Sequence, residues 1–275
     1  MSKVTEIHTD KTIDLMKVCE ALAEHDAYQI HIKYYDDTTI QYFMCGISTR
    51  MNAVSKEDYG YEVRITTIAC EKDFELYRDT VKHMLKLTGG KAIYEFENEI
   101  ENAESFFNDD FIKKSVRDEF NLTMTLVEAK HPIGYFCPMR MFSIGEKMYK
   151  KITSFSTNKD EQRNYLYDLI RESQYKYDGE NSTIMRILFD PDNEDEEKAE
   201  RISCYRKNEY RYIQSAQYFG LFDENKDDAI VMKYENLEKI APATWELYDE
   251  DQYIAHDISD EEWETMWNKA LEFKV

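Results

Sequence analysis

Hydrophobic and polar positions alternate most clearly at Tyr61, Val63, Ile65 and Thr67, separated by Glu62, Arg64 and Thr66. That period of two predicts a strand with one buried face. Beyond it the period changes. Phe74, Tyr77, Val81, Met84 and Leu85 recur at helical spacing. Glu71 and Asp73 precede them, where acidic side chains suit the positive end of a helix, and Lys82 and Lys86 follow towards the other end. Gly89 and Gly90 supply a left-handed stop, and residues 92–96 return as a strand. Residues 61–96 thus read as a strand–helix–strand unit.

The same two periods organise the rest of the chain. Asp10 is placed to cap a helix with the stripe Ile13, Met16, Cys19, Leu22 and Ala23. Tyr28, Ile30, Ile32 and Tyr34 alternate with Gln29, His31 and Lys33. Asp36, Asp37 and Thr38 then make a turn, which predicts a hairpin over 27–46. Residues 99–107 and 109–119 read as two short helices. Leu122, Met124 and Leu126 alternate with threonines, so 122–128 reads as a strand, and 133–137 as a short extended piece between Pro132 and Pro138. A helix over 160–175 carries Leu166, Leu169 and Ile170. A turn at Asp178 and Gly179 leads to a strand over 183–189. Residues 202–206 and 210–219 are expected to pair as a hairpin across Lys207, Asn208 and Glu209. A strand over 229–234 and an extended piece over 244–248 follow. The last helix starts near Asp260, with Ser259 as cap and Trp263, Met266, Trp267 and Ala270 facing inward.

Hairpins mixed with a strand–helix–strand piece predict an α+β fold with a mixed, mostly antiparallel sheet and packed helices. The polar run over 153–159 marks a boundary between an N-terminal half, 1–156, and an acidic C-terminal half, 157–275, with one continuous domain as the alternative.

Composition adds a bias of charge. The 275 residues are 42% hydrophobic and 14% aromatic, enough apolar surface to exclude a disordered chain. The net charge is −21, and residues 180–275 hold 25 acidic against 11 basic side chains. Such a surface repels phosphates and anionic lipid, which argues against generic nucleic-acid binding and against membranes, and it reads either as solubilising charge or as a face that docks on a basic protein partner. Residues 130–176 are the one sizeable net-positive stretch, with nine basic and five acidic side chains. Five scattered cysteines with no C-x-x-C read as reduced core residues. With no apolar leader and no apolar run of membrane length, the expectation is a soluble cytoplasmic protein.

The strongly marked catalytic motifs are missing: there is no G-x-x-x-x-G-K-[ST], G-x-G-x-x-G, H-E-x-x-H or G-x-S-x-G. The most suggestive local string is the E-x-K formed by Glu128 and Lys130, with Asp118 upstream. It resembles the core of PD-(D/E)xK nucleases. That resemblance implies Mg²⁺ held by Asp118 and Glu128, with Lys130 helping to activate water. Asp223, Asn225 and Asp227 copy the opening of an EF-hand loop, but Asp228 stands where glycine is needed and Tyr234 where the bidentate glutamate belongs. The run from Asp190 fails in the same way at Asp195 and Arg201. Both read as solvated turns, and the six histidines are dispersed. No cofactor is expected, apart from Mg²⁺ under the nuclease reading.

Tyr and Trp beside acidic groups make protein-binding hot spots. Trp245, Tyr248 and Tyr253, set among Glu250 and Asp251, are the best such place, while Trp263 and Trp267 read as anchors of the last helix. The sequence therefore favours a non-enzymatic, cytosolic, bacterial or phage interaction protein that binds and inhibits a basic partner. In composition it is similar to toxin-neutralising immunity proteins and nucleic-acid mimics. The alternative is a Mg²⁺-dependent nuclease or phosphodiesterase built on Asp118, Glu128 and Lys130.

Overall fold

Val4, Thr5 and Ile7 are buried in a strand, β1 (Ser2–His8), that the alternation along the chain did not announce. It is an interior strand of the largest sheet, paired on both edges. In the computed structural model, residues 2–24, 29–176, 182–188, 200–226 and 228–275 are described, those over 184–188 by their backbone alone. Tyr28, the turn at Asp178 and Gly179, the acidic run over 190–199 and Asp227 lie outside the described residues. The chain divides into Met1–Lys176 and Tyr177–Val275. That division falls later than the polar run over 153–159.

In the first unit, α1 (Met16–Ala23) starts well after Asp10, and Asp14 rather than Asp10 accepts from the Met16 N–H. The expected hairpin forms as β2 (Ile30–Tyr35) and β3 (Thr39–Met44), with Asp36 accepting from the N–H groups of Thr38 and Thr39 in the turn. Next come β4 (Asn52–Glu57), unforeseen, and β5 (Gly60–Thr66), α2 (Glu71–Thr88) and β6 (Lys91–Tyr94), which match the strand–helix–strand reading. A short β7 (Asn98–Ile100) completes a seven-stranded sheet in the order β2-β3-β4-β5-β1-β6-β7, antiparallel at every pairing. β1 thus lies between β5 and β6, so α2 carries the chain across it. α2 buries Phe74, Leu76, Tyr77, Val81 and Met84. Its Tyr77 hydroxyl lies 2.6 Å from Thr5 Oγ1 on β1.

The second half of this unit corrects one expectation. After α3 (Ala103–Phe106), a single helix, α4 (Asp109–Glu128), runs through the stretch expected to be a strand. Val116, Phe120, Thr123, Met124 and Val127 are buried at helical spacing, and this continuous apolar face overrides the strand propensity of the alternating threonines. The helix stops where Lys130 adopts a left-handed φ of 66° and the His131 N–H reaches back to the Leu126 carbonyl. A two-stranded ribbon, β8 (Ile133–Phe136) with β9 (Met141–Ile144), and the helices α5 (Glu146–Phe155) and α6 (Lys159–Tyr175) follow. α6 belongs to this unit: its Tyr167 hydroxyl donates to the Ala69 carbonyl and its Tyr175 hydroxyl to the Ser48 carbonyl.

In the second unit, β10 (Ile184–Leu188) and β11 (Glu200–Arg206) pair antiparallel. β12 (Tyr212–Ile213) and β13 (Tyr218–Phe222) do not form the expected hairpin with β11. Instead β13 pairs with β11 in parallel, and β14 (Ile230–Lys233) closes that sheet. After α7 (Leu237–Ile240), β15 (Glu246–Leu247) and β16 (Tyr253–Ile254) form a small sheet with β12. The last helix, α8 (Asp260–Leu271), opens with the expected Ser259 cap, reciprocated by the Glu262 carboxylate on the Ser259 N–H. The molecule is therefore a mixed α+β protein with a large antiparallel sheet and smaller sheets. Among the described residues, no helix is long and apolar enough to cross a membrane.

Candidate functional site

The structure does not bring the E-x-K constellation together. Asp118 and Glu128 lie on the same helix, and ten residues of α-helix separate them by about 15 Å along its axis. Asp118 is ion-paired with Lys114 at 2.5 Å, and Lys130 with Glu146 at 3.0 Å. The Glu146 carboxyl, held between Lys130 and Lys150, is pulled down to about 2. No strand carries the motif, and among the described residues no group of three His, Cys, Asp or Glu side chains is placed to hold a metal ion.

The aromatic residues expected to meet a partner are core residues. Trp245 is 7% and Tyr253 8% exposed, in one apolar cluster with Tyr205, Phe219, Trp263 and Trp267. Trp245 meets Tyr205 edge-on at 5.1 Å, and Tyr248, also buried, meets Tyr212 edge-on at 4.9 Å. Tyr253 lies on β16, Trp245 and Tyr248 flank β15, and all three rings are buried. At the tip between those strands Glu250 is half-buried and Asp251 exposed. There the buried Asp249 carboxylate accepts from the N–H groups of Asp251 and Gln252.

What the second unit shows to solvent is carboxylate. α8 buries Trp263, Met266, Trp267 and Ala270, and its outward stripe is Glu261, Glu264, Thr265, Asn268 and Glu272. Basic side chains of this unit are largely committed. Arg206 pairs with Glu209 and Glu224, Lys207 with Asp260, Arg211 with Asp257, Lys226 with Glu264, and Lys274 with Asp228. Lys233 sits over the Tyr218 ring and Lys239 over the Phe273 ring. Asp223 accepts from Trp263 Nε1 at 2.7 Å and from the Asn225 N–H, and its carboxyl is pulled down chiefly by the indole bond. Asp223 thus ties its turn to α8, a contact that the reading of this run as a solvated turn did not include.

In the first unit a cleft of about 400 Å³ is lined by Ser2, Lys3, Thr67, Glu95, Asp118, Glu119 and Leu122. Glu119 is its most perturbed group. The residue is 8% exposed, and burial raises its carboxyl to about 7, against the opposing pull of Lys3 and of backbone N–H groups. Its Oε2 accepts from the Ile68 N–H at 2.9 Å, and Oε1 faces Lys3 Nζ across 3.9 Å. Two segments at the cleft hold side-chain-bearing residues at left-handed φ: Ile68 at 66°, and Glu95 and Phe96 at 50° and 63°. β-branched Ile68 is the more strained of these. Glu95 is fixed by a reciprocal pair of bonds, its carboxylate accepting from the Val4 N–H and its own N–H donating to the Val4 carbonyl. The E-x-K reading singled out Asp118 and passed over its neighbour Glu119. Glu119 falls on the apolar stripe with Ile112, Val116, Phe120 and Thr123, and that position is the signal in the sequence that marks it.

Comparison with protein-family models, with curated proteins and with solved structures finds no match.

Proposed function

We propose that this protein binds a basic partner protein through the outward stripe of α8. The observation that carries this reading is the two-sided character of that helix. Its inner face is locked into the aromatic core, while Glu261 in the first turn and Glu272 at the C-cap project from the outer face about 16 Å apart, with Glu264 between them paired to Lys226. A rigid acidic ridge of this kind steers a basic surface into encounter and fixes its register. The stripe takes the place of the aromatic face read from the sequence, because Trp245, Tyr248 and Tyr253 hold the core together and are not displayed.

The test is an affinity measurement on the full chain. Proteins retained from a lysate at low salt are identified by mass, and the dominant basic one is titrated against wild type and against a Glu261→Lys, Glu272→Lys double variant. Affinity is expected to fall at least tenfold with a shallower salt dependence, while Glu101→Lys, an exposed change in the first unit, leaves it unaltered. Equal affinity of the double variant and wild type overturns the proposal.

A further inference from the structure

The cleft in the first unit has features that a basic protein docking on α8 does not use. Three of the side chains bordering it are carboxylates, Glu95, Asp118 and Glu119, against the single ammonium of Lys3. Lys3 stands 3.9 Å from Glu119, too far for a hydrogen bond, so backbone N–H groups such as that of Ile68 hold this carboxyl, and its Oε1 faces a cation without a bond to it. Thr67 also borders the cleft. Its side chain is 9% exposed, and its hydroxyl has no hydrogen-bond partner among the described residues. Burying an unsatisfied hydroxyl is costly, and a polar group arriving in the cleft would supply the missing partner.

We infer that this cleft binds a small organic cation, an alkylamine or a guanidine. The volume lies within the range of small-molecule sites. The carboxylates come from different elements, Glu95 from the turn after β6 and Asp118 and Glu119 from α4, and among the described residues no group of three His, Cys, Asp or Glu side chains is placed to hold a metal ion. A bare metal ion needs its ligands to converge on one point, whereas an amine on a methylene chain spans separated carboxylates. Leu122 supplies an apolar wall for the methylenes. Lys114 and Arg117 draw on Asp118, which leaves Glu95 and Glu119 as the principal partners of the incoming cation.

The experiment titrates the full-length protein with putrescine and with agmatine, following amide shifts by NMR and heat by calorimetry. The neutral isostere 1,4-butanediol and MgCl₂ at matched ionic strength serve as controls. Saturable one-to-one binding of at least one cation is expected, with shifts centred on the amides of Thr67, Glu95 and Glu119. Glu119→Gln and Glu95→Gln should each weaken it at least tenfold. Glu95→Gln retains an oxygen to accept from the Val4 N–H, so it decides the matter if Glu119→Gln loses its native circular dichroism. The inference is overturned if neither cation binds saturably, if butanediol or Mg²⁺ reproduces the shifts, or if the folded glutamine variants bind like wild type.

Discussion

The two units hold an excess of acidic side chains with a different balance: each buries carboxylates, Asp73 and Glu119 in the first and Asp249 in the second, but they build their interiors differently. The first takes carboxylates inside. Asp73 is fully buried and its Oδ2 accepts from the N–H groups of Thr49, Arg50 and Cys70 and from the Thr49 hydroxyl, tying the segment after β3 to the start of α2. Glu119 is buried beside a cleft and pins the strained turn at Ile68. The second unit fills its interior with aromatic rings and turns most carboxylates outward, against its own lysines and arginines or into solvent. A buried carboxylate is conserved in energy only while every donor around it stays in place, whereas an outward one leaves the core indifferent to its loss. Chemistry therefore concentrates in the first unit, and long-range charge in the second.

The contrast is broken most severely at Asp73. Asp73→Ala strands several buried N–H donors and should destabilise the protein by about 3–5 kcal/mol in urea titrations, with hydrogen exchange accelerated in the first unit. A loss below about 1 kcal/mol would show that the bonds around this carboxylate add little. Next in size is Glu119. Its carboxyl ordinarily titrates at 4.5 and here at about 7, so the folded state holds the proton more tightly than the unfolded one. Stability is then greatest below pH 4.5 as far as this group is concerned, and about 3 kcal/mol of it is lost as pH rises through 7. Glu119→Gln should flatten that part of the stability–pH curve; a curve with the same slope would refute the assignment.

In the second unit the effects are smaller. Ser259→Ala removes the α8 cap and should cost about 1 kcal/mol, read as a lowered urea midpoint with unchanged slope. Smallest of all is Trp245→Phe. The Trp245 Nε1 is buried without a hydrogen-bond partner among the described residues, so phenylalanine removes an unsatisfied donor along with some packing. The two terms oppose each other, and the net change should stay within about 1 kcal/mol. A loss of several kcal/mol would mean that the indole N–H is satisfied in solution.

Local pattern by itself determined the parts in which neighbouring residues agree with one another. The unit β5, α2 and β6, the turn at Asp36, the helix over 160–175 and the Ser259 cap were legible because caps, periods and stops coincide within a few residues. The α+β class followed from the same signals. The tertiary structure alone decided β1, since a short strand whose only aliphatic residues are Val4 and Ile7 is stabilised by pairing on both sides and not by its own apolar period. It likewise carried α4 through a stretch of strand propensity, paired β11 with β13 in parallel, and turned Trp245 and Tyr253 inward. Glu119 shows the same division. Its place on the stripe of Ile112 and Val116 was written in the chain, but its buried charge depends on Lys3, Thr67 and Ile68, which only the folded sheet brings to it. Burial, and with it the tuning of a carboxylate, is a property of distant contacts, and those are set by how the whole chain packs.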